Sequence, residues 1–170
     1  MRFHRTAPAE FRLELDGRER LLLARILQNY PSIPAHYHAL SRNPPTAGDA
    51  VLRRAEALRQ ESLAEHRGTL RTAMTDLRQR LLDQNHPGRL VVDLVADEVD
   101  RLLQAVNDVR VGAWIRLGCP DPAEVEASDD PVRMDLAFRM YTAGHFEGLM
   151  LAGLLDPEPE APPEDRRDEV

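Results

Sequence analysis

Residues 90–117 read LVVDLVADEVDRLLQAVNDVRVGAWIRL, and this stretch decides which kind of fold we expect. Its first six residues, 90–95, are apolar and rich in valine except for Asp93, which is typical of a short strand. From residue 96 onward the apolar side chains recur every three or four positions, which is the period of an amphipathic helix. They are Val99, Leu102, Leu103, Val106, Ala113 and Leu117. The pattern predicts a strand that runs directly into a helix over 96–117.

The same order of strand and helix occurs nearer the N-terminus. Residues 11–15 (FRLEL) alternate apolar and polar side chains, which predicts a half-buried strand. A helix is expected to follow the Asp16-Gly17 pair and to end before Pro31. We therefore predict that residues 11–15 and 90–95 pair in one small sheet.

Three further helices are predicted, separated by breaks and loops. Residues 34–41 indicate a short helix, and residues 131–155 a last amphipathic one. Residues 48–84 contain no proline and, after Gly48 at their start, a single glycine, Gly68. A helix of that length is about 55 Å long, so it either projects from the domain or bends near Gly68. The predicted fold is mainly α, with about five helices and a small two- or three-stranded sheet near the N-terminus.

The length and charge distribution indicate one domain and a tail. We expect residues 1–155 to form a single helical domain. Residues 156–170 (DPEPEAPPEDRRDEV) carry seven acids, two arginines and four prolines, and they contain almost no apolar side chain. Such a segment cannot bury enough surface to fold, so we predict a disordered acidic tail. No apolar run reaches the roughly 18 residues of a membrane span, so we expect a cytoplasmic protein without a membrane partner.

The composition excludes several kinds of chemistry. All 22 basic residues are arginine, which removes any mechanism that needs a lysine. Cys119 is the single cysteine, so neither an internal disulfide nor a cysteine-based zinc site can form. No Ser-His-Asp pattern, glycine-rich phosphate loop or HExxH motif occurs. We therefore expect no metal, no cofactor and no enzymatic activity.

Arg110 lies inside the apolar stripe of the helix predicted at 96–117. A buried guanidinium is costly unless a carboxylate pairs with it. Glu147 lies on the otherwise apolar face of the last predicted helix, so we predict that these two charges meet in the core. The alternative is that Arg110 lies at the edge of the stripe and keeps its charged end in water. Together with Asn107 and Asp108, the pair forms the first candidate site, a buried polar motif.

The long helix predicted at 48–84 provides a second candidate site, the arginine strip. At 100° per residue its members fall within about 40° of one another on the helix surface. They are Arg53, Arg67, Arg71 and Arg78. The strip is either a solvated face or a docking strip for an acidic partner, which could be a protein, a nucleic acid or the chain's own tail. Direct nucleic-acid binding is disfavoured because the net charge of −7 resides mostly in the tail and leaves the body near neutral.

Three segments of the chain resemble a bacterial family of uncharacterised function. They are RFHRTAPAEFRLELDGRERLLL (2–23), LVVDLVADEVDRLLQAVNDVRVGAWIRLG (90–118) and GLMLAGLL (148–155). The best-known branch of that family is the actinobacterial oxidative-stress regulators, typically encoded beside the adaptor of the Clp protease. For that branch the resemblance implies redox-sensing transcriptional regulation through paired N-terminal cysteines and contacts with a sigma factor. This chain departs from it, because no cysteine precedes Cys119.

Two hypotheses for the function follow. The first is a non-enzymatic regulatory or protein-interaction protein that binds a protein partner, in a transcriptional stress response or in Clp-linked proteolysis. The second is a small-ligand binder or enzyme with a polar pocket formed by Asn107, Asp108, Arg110, Glu147 and His145. A deep cleft at Arg110 would favour the second hypothesis, whereas a filled core and an exposed arginine strip would favour the first. The sequence leaves the partner's identity and the oligomeric state open.

Overall fold

The computed structural model describes residues 1–38, 49–83, 88–121, 125 and 129–155. In chain order the described elements are β1 (Arg2–Ala7), β2 (Glu10–Leu15), α1 (Gly17–Leu27), a short 3-10 helix (Ala35–His38), α2 (Ala50–Leu82), β3 (Leu90–Val95), α3 (Ala96–Arg116) and α4 (Pro131–Leu155). The fold is mainly helical with a small antiparallel sheet at the N-terminus, as the sequence predicts. Of the short helix expected at 34–41, Ala35–His38 form a 3-10 helix, and residues 39–41 lie outside the described residues. The predicted tail, 156–170, lies outside the described residues.

The sheet contains three strands in the order β1-β2-β3, and both neighbouring pairs are antiparallel. The predicted pairing of residues 11–15 with 90–95 is confirmed. Because side chains alternate between the two faces of a strand, one face of the sheet is apolar and buried against the helices. Its side chains are Phe3, Phe11, Leu13, Leu15, Leu90, Val92 and Leu94. The opposite face carries charged pairs, such as Arg12 and Asp93 at 2.7 Å.

Capping groups explain why α1 and α3 begin where they do. The Asp16 carboxylate accepts hydrogen bonds from the backbone N–H groups of Arg18 and Glu19, both at 2.8 Å. The Glu19 carboxylate in turn accepts from the Asp16 N–H, which completes a capping box. At the start of α3, Glu98 accepts from the Val95 N–H at 3.0 Å. Both β2 and β3 therefore lead into a helix almost without a loop, as predicted.

Helix α2 is one continuous helix of 33 residues, about 50 Å long. Its buried side chains all lie in the C-terminal half, and they are Leu70, Met74, Leu77 and Leu81. In the N-terminal half, Val51 and Leu58 are 83% and 56% exposed. The helix therefore projects from the domain and runs through Gly68 without a break, which decides between the two alternatives left by the sequence.

Helices α3 and α4 pack against each other over much of their length. Their buried side chains include Val106, Val109, Ala113, Ala143, Phe146 and Met150. Two glycines let the backbone approach other parts of the chain closely. A Cβ atom at Gly112 would lie 2.5 Å from the carbonyl carbon of Ser32, and one at Gly153 would lie closer still to the carbonyl oxygen of Phe3. These contacts fix the loop after α1 and strand β1 on the α3–α4 pair.

Candidate binding groove between the third and fourth helices

Arg110 on α3 meets Glu147 on α4, as predicted. Its Nε atom lies 2.7 Å from Oε2 of Glu147. Its Nη2 group donates a hydrogen bond of 2.7 Å to Oδ1 of Asn107, one turn earlier on α3. The Nε atom is shielded from solvent but makes no hydrogen bond, so the contact with Glu147 is a close ion pair without an aligned donor. Asn107, Arg110 and Glu147 thus form one polar cluster between the helices.

The Arg110–Glu147 pair lies nearer the surface than the predicted buried motif. The Arg110 side chain is 41% exposed, and that of Glu147 is 20% exposed. A Cβ atom at Gly144 would touch Cδ of Arg110 at 3.4 Å, so the arginine stem passes over the small surface of this glycine. The side chain packs on α4 at its Cδ atom and is partly exposed overall, which is the edge position considered as the alternative. The pairing was predicted correctly, and its burial was overestimated.

Asp108 belongs to a different part of the molecule from Arg110. Its Oδ1 atom accepts hydrogen bonds from the backbone N–H groups of Ser32 and Ile33, the latter at 3.2 Å. Residues two positions apart on a helix point in directions about 200° apart, so Asp108 faces the loop after α1 while Arg110 faces α4. The predicted four-residue motif is therefore divided. Asp108 holds a loop, and the other three residues border the α3–α4 interface.

An open groove of about 700 Å³ runs beside Arg110 between the two helices. Its lining consists of Arg110, Val111, Trp114, Pro120, Met140, Tyr141, Gly144 and His145. We refer to this set as the α3–α4 groove. Trp114 and Tyr141 are 40% and 45% exposed, and the Trp114 indole donates a hydrogen bond of 3.1 Å to the Pro120 carbonyl. Most of the lining is apolar or aromatic, and Arg110 from α3 and His145 from α4 add polar groups.

Tyr141 and His145 form a ridge between this groove and a second, smaller hollow. That hollow has a volume of about 320 Å³ and lies between α1, α4 and the N-terminus. Its other lining residues are Met1, Arg18, Glu19, Leu22, Phe138, Thr142 and Phe146. The exposed aromatic side chain of Tyr141 therefore borders both openings.

The arginine strip is only partly available to a partner. Arg67 donates a hydrogen bond of 3.0 Å to the Ile33 carbonyl, and its Nη2 lies 2.9 Å from Nε2 of His38. Arg78 donates a hydrogen bond of 3.4 Å to Oε1 of Gln28, the residue that follows α1. The other two members, Arg53 and Arg71, have exposed side chains. Two of the four predicted strip residues therefore hold the loop after α1 and helix α1 against α2.

The described residues also limit what other chemistry the fold can hold. Across the described ranges, no group of three or more His, Cys, Asp or Glu side chains could hold a metal ion. No helix in the same part of the chain is long and apolar enough to cross a membrane.

The fold is mainly helical with a small N-terminal sheet, and neither these elements nor the groove points to one particular chemistry. The chain belongs to a family described as a domain of unknown function, DUF2017, whose model matches residues 1–156. Neither the curated proteins nor the solved structures give a significant match. The predicted membership of an uncharacterised family is therefore confirmed, whereas the match shows no link to oxidative-stress regulators or to the Clp adaptor.

Sequence reasoning found two of the residues that line the groove, Arg110 and His145, and missed the rest. It selected Asn107, Arg110, Glu147 and His145 because charged or polar residues on or beside apolar stripes are conspicuous, but Asn107 and Glu147 contact Arg110 without lining the groove. It did not select Met140 and Tyr141, which do line it. An apolar residue on a helix is normally assigned to the core, and only the packing of two helices shows which of them stay exposed.

Proposed function

We propose that this chain is a non-enzymatic protein-interaction protein that binds a partner through the α3–α4 groove. The observation that carries the proposal is the exposed, mostly apolar groove with Trp114 and Tyr141 at its walls and the Arg110–Glu147 pair at its side. Tryptophan, tyrosine and arginine are the residues that contribute most to binding energy at protein interfaces. The occupant that fits best is an apolar segment of a partner protein with a polar group near Arg110.

We further propose that the bound partner is part of a regulatory process. Its support is the resemblance of residues 2–23, 90–118 and 148–155 to the family that includes oxidative-stress regulators. On that basis we propose a cytoplasmic adaptor or regulator in a stress response or in Clp-linked proteolysis. A cysteine-pair redox switch is not part of this proposal, because Cys119 is the single cysteine.

Site-specific photo-crosslinking tests the groove directly. A photoreactive phenylalanine analogue at Val111 should crosslink the full-length chain to a defined partner in its native cytoplasm, and Trp114→Ala or Tyr141→Ala should abolish that crosslink. The matched control places the same analogue at Val51, which is 83% exposed on the projecting part of α2. Equal crosslinking from both positions, or crosslinks that survive both groove substitutions, would refute the proposal.

The alternative function is binding of a small ligand, the hypothesis that a deep cleft at Arg110 would favour. The groove beside Arg110 is open, but its volume of about 700 Å³ falls within the range of about 300–1,000 Å³ that is typical of ligand pockets, and Arg110 and His145 supply polar groups. Native mass spectrometry of the protein purified from its own cytoplasm distinguishes the two functions. A bound mass of a few hundred daltons that is lost in Trp114→Ala would favour the small ligand over the protein segment.

A further inference from the structure

Strand β3 is an outer strand of the sheet, and no described residue pairs with its outer edge. The strand order β1-β2-β3 leaves one side of Leu90–Val95 without a neighbouring strand. An open edge of six residues presents main-chain donors and acceptors to which another chain can add.

The register identifies which main-chain groups point away from the sheet. The Ala96 N–H donates to the Ala9 carbonyl at 2.9 Å, in line with the regular β2–β3 register. Since alternate residues of an antiparallel strand bond to the same neighbour, Leu94 and every second residue before it bond to β2. Val91 and Asp93 therefore direct their N–H and C=O groups outward. The Val95 N–H is already bonded to Glu98, so the open edge is centred on Val91 and Asp93.

The side chains along this edge do not block an added strand. Val91 and Val95 are 49% and 51% exposed, so their β-branched side chains could pair with those of a new strand. The Asp93 carboxylate is held at 2.7 Å by Arg12, which belongs to β2. Its charge is therefore directed back over its own sheet and away from the edge.

A notch lies on the buried side of the same edge. It has a volume of about 220 Å³ and lies between Leu94, the start of α3 and the C-terminal half of α2. Its apolar residues are Ala73, Met74, Leu77 and Leu94, and its charged rim consists of Asp76, Arg80, Glu98 and Arg101. A strand added to β3 would direct alternate side chains toward α2, so one apolar side chain could enter this notch.

We propose that β3 accepts an extended segment of a partner protein as a fourth strand, with one apolar side chain of that segment in the notch. Main-chain hydrogen bonds to an edge strand provide affinity, and a pocket for an alternate side chain provides specificity. This surface is separate from the α3–α4 groove and does not depend on the function proposed for it.

Two other occupants fit less well. A second copy of this chain could pair through its own β3. The apolar side chains of that strand are Leu90, Val92 and Leu94, which are only 5%, 2% and 3% exposed. They are therefore already packed in the core of that second copy and cannot enter the notch of the first. The segment 156–170 has four prolines and only Ala161 and Val170 as apolar residues. Proline cannot donate to a β-ladder, so this sequence is a poor strand.

Selection from a phage-displayed library of random twelve-residue peptides on the immobilised full chain tests the proposal. We expect enriched peptides with alternating apolar residues. Val91→Pro, which removes an outward N–H, and Ala73→Leu, which fills the notch, should each weaken their binding about tenfold or more. Val91→Thr and the groove variant Trp114→Ala are the controls and should leave binding unchanged. The proposal would be overturned if no peptide is enriched. It would also be overturned if the enriched peptides bind Val91→Pro and Ala73→Leu as tightly as they bind the unsubstituted protein.

Hydrogen exchange of the unsubstituted protein provides a second test that needs no variant. In the free chain the Val91 and Asp93 amides should exchange quickly and those of Val92 and Leu94 slowly, and a selected peptide should slow exchange at Val91 and Asp93. Slow exchange of both the Val91 and Asp93 amides in the free chain would show that the edge is already covered, and it would overturn the proposal. If that protection rises with protein concentration, the edge is covered by another copy of the chain.

Discussion

At the scale of single residues, Arg110 shows how one side chain serves both packing and surface chemistry. Its stem lies over Gly144 while its guanidinium contacts Glu147 and Asn107 at the border of the groove. A helical wheel gives the direction of this side chain but not the depth at which it ends. That depth determines how much the ion pair contributes to stability.

The partial exposure of the Arg110–Glu147 pair predicts a modest coupling. Breaking a fully buried pair costs about 3–5 kcal/mol, whereas solvent-accessible pairs contribute up to about 1 kcal/mol. We expect Arg110→Met and Glu147→Leu each to lower the free energy of unfolding, with a coupling of about 0.5–1 kcal/mol in the double-mutant cycle. Urea denaturation of the four proteins measures it. Additive losses would contradict a direct interaction.

His38 predicts a pH dependence of stability. Burial lowers the pKa of His38 below 6.5, and the nearby Arg67 lowers it further, while Asp108 acts in the opposite direction. The unfolded chain therefore binds a proton at His38 more readily than the folded chain, and stability falls as the pH drops below about 6.5. Urea denaturation at pH 7.5 and 5.5 should show a smaller decline for His38→Asn than for the unsubstituted protein. The same decline in both would contradict this assignment.

At the scale of elements, glycines on two helices serve opposite roles. Gly112 of α3 lies against the backbone at Ser32, where an added Cβ would come within 2.5 Å of a carbonyl carbon. Gly68 of α2 has nothing within 4 Å of its Cβ position. The first glycine allows a loop to pack on α3, and the second only weakens the projecting helix. The sequence does not distinguish them.

Alanine substitutions at these two glycines should therefore have opposite effects. Gly112→Ala should lower the free energy of unfolding by about 1–3 kcal/mol, because the backbone at Ser32 must move. Gly68→Ala should stabilise α2 by up to about 1 kcal/mol, since alanine is the better helix former. Thermal and urea denaturation compare the pair directly. Loss of stability in both variants would show that α2 is packed at Gly68.

At the scale of the whole molecule, the acidic segment 156–170 lies outside the described residues, and its predicted role is separate from the core. Truncation after Leu155 should leave the melting temperature nearly unchanged, because the removed sequence contains only two apolar side chains. A large drop in calorimetry would show that the segment packs on the domain.

The same truncation tests whether the tail covers the arginine strip. Tethering gives the tail an effective concentration of about the millimolar range near the strip. Even a weak charge attraction would then hold the tail on the strip for part of the time at low salt. Because Arg67 and Arg78 already hold intramolecular contacts, we expect the largest amide shifts on truncation near Arg71. Nuclear magnetic resonance at low ionic strength measures these shifts, and their absence would rule out masking.

The sequence by itself determined the elements whose signals are local. Alternation in residues 11–15 and the valine-rich run at 90–95 identified two strands, and the Asp16-Gly17 pair marked the start of α1. The pairing of those two strands also followed, since each has an apolar face that must be buried. The pairing of Arg110 with Glu147 followed because a charge on an apolar helix face needs a partner of opposite charge. These predictions depend on periodicity and on the cost of unpaired polar groups, which a sequence contains.

Only the tertiary structure decided which of these surfaces remain open. It separated Asp108 from Arg110, attached Arg67 to the loop at Ile33, and left Trp114 and Tyr141 exposed beside a groove. It also placed β3 at the edge of the sheet over a notch on α2. The physical reason is that exposure depends on how distant segments pack together, and the pattern within one helix or strand does not contain the positions of its neighbours.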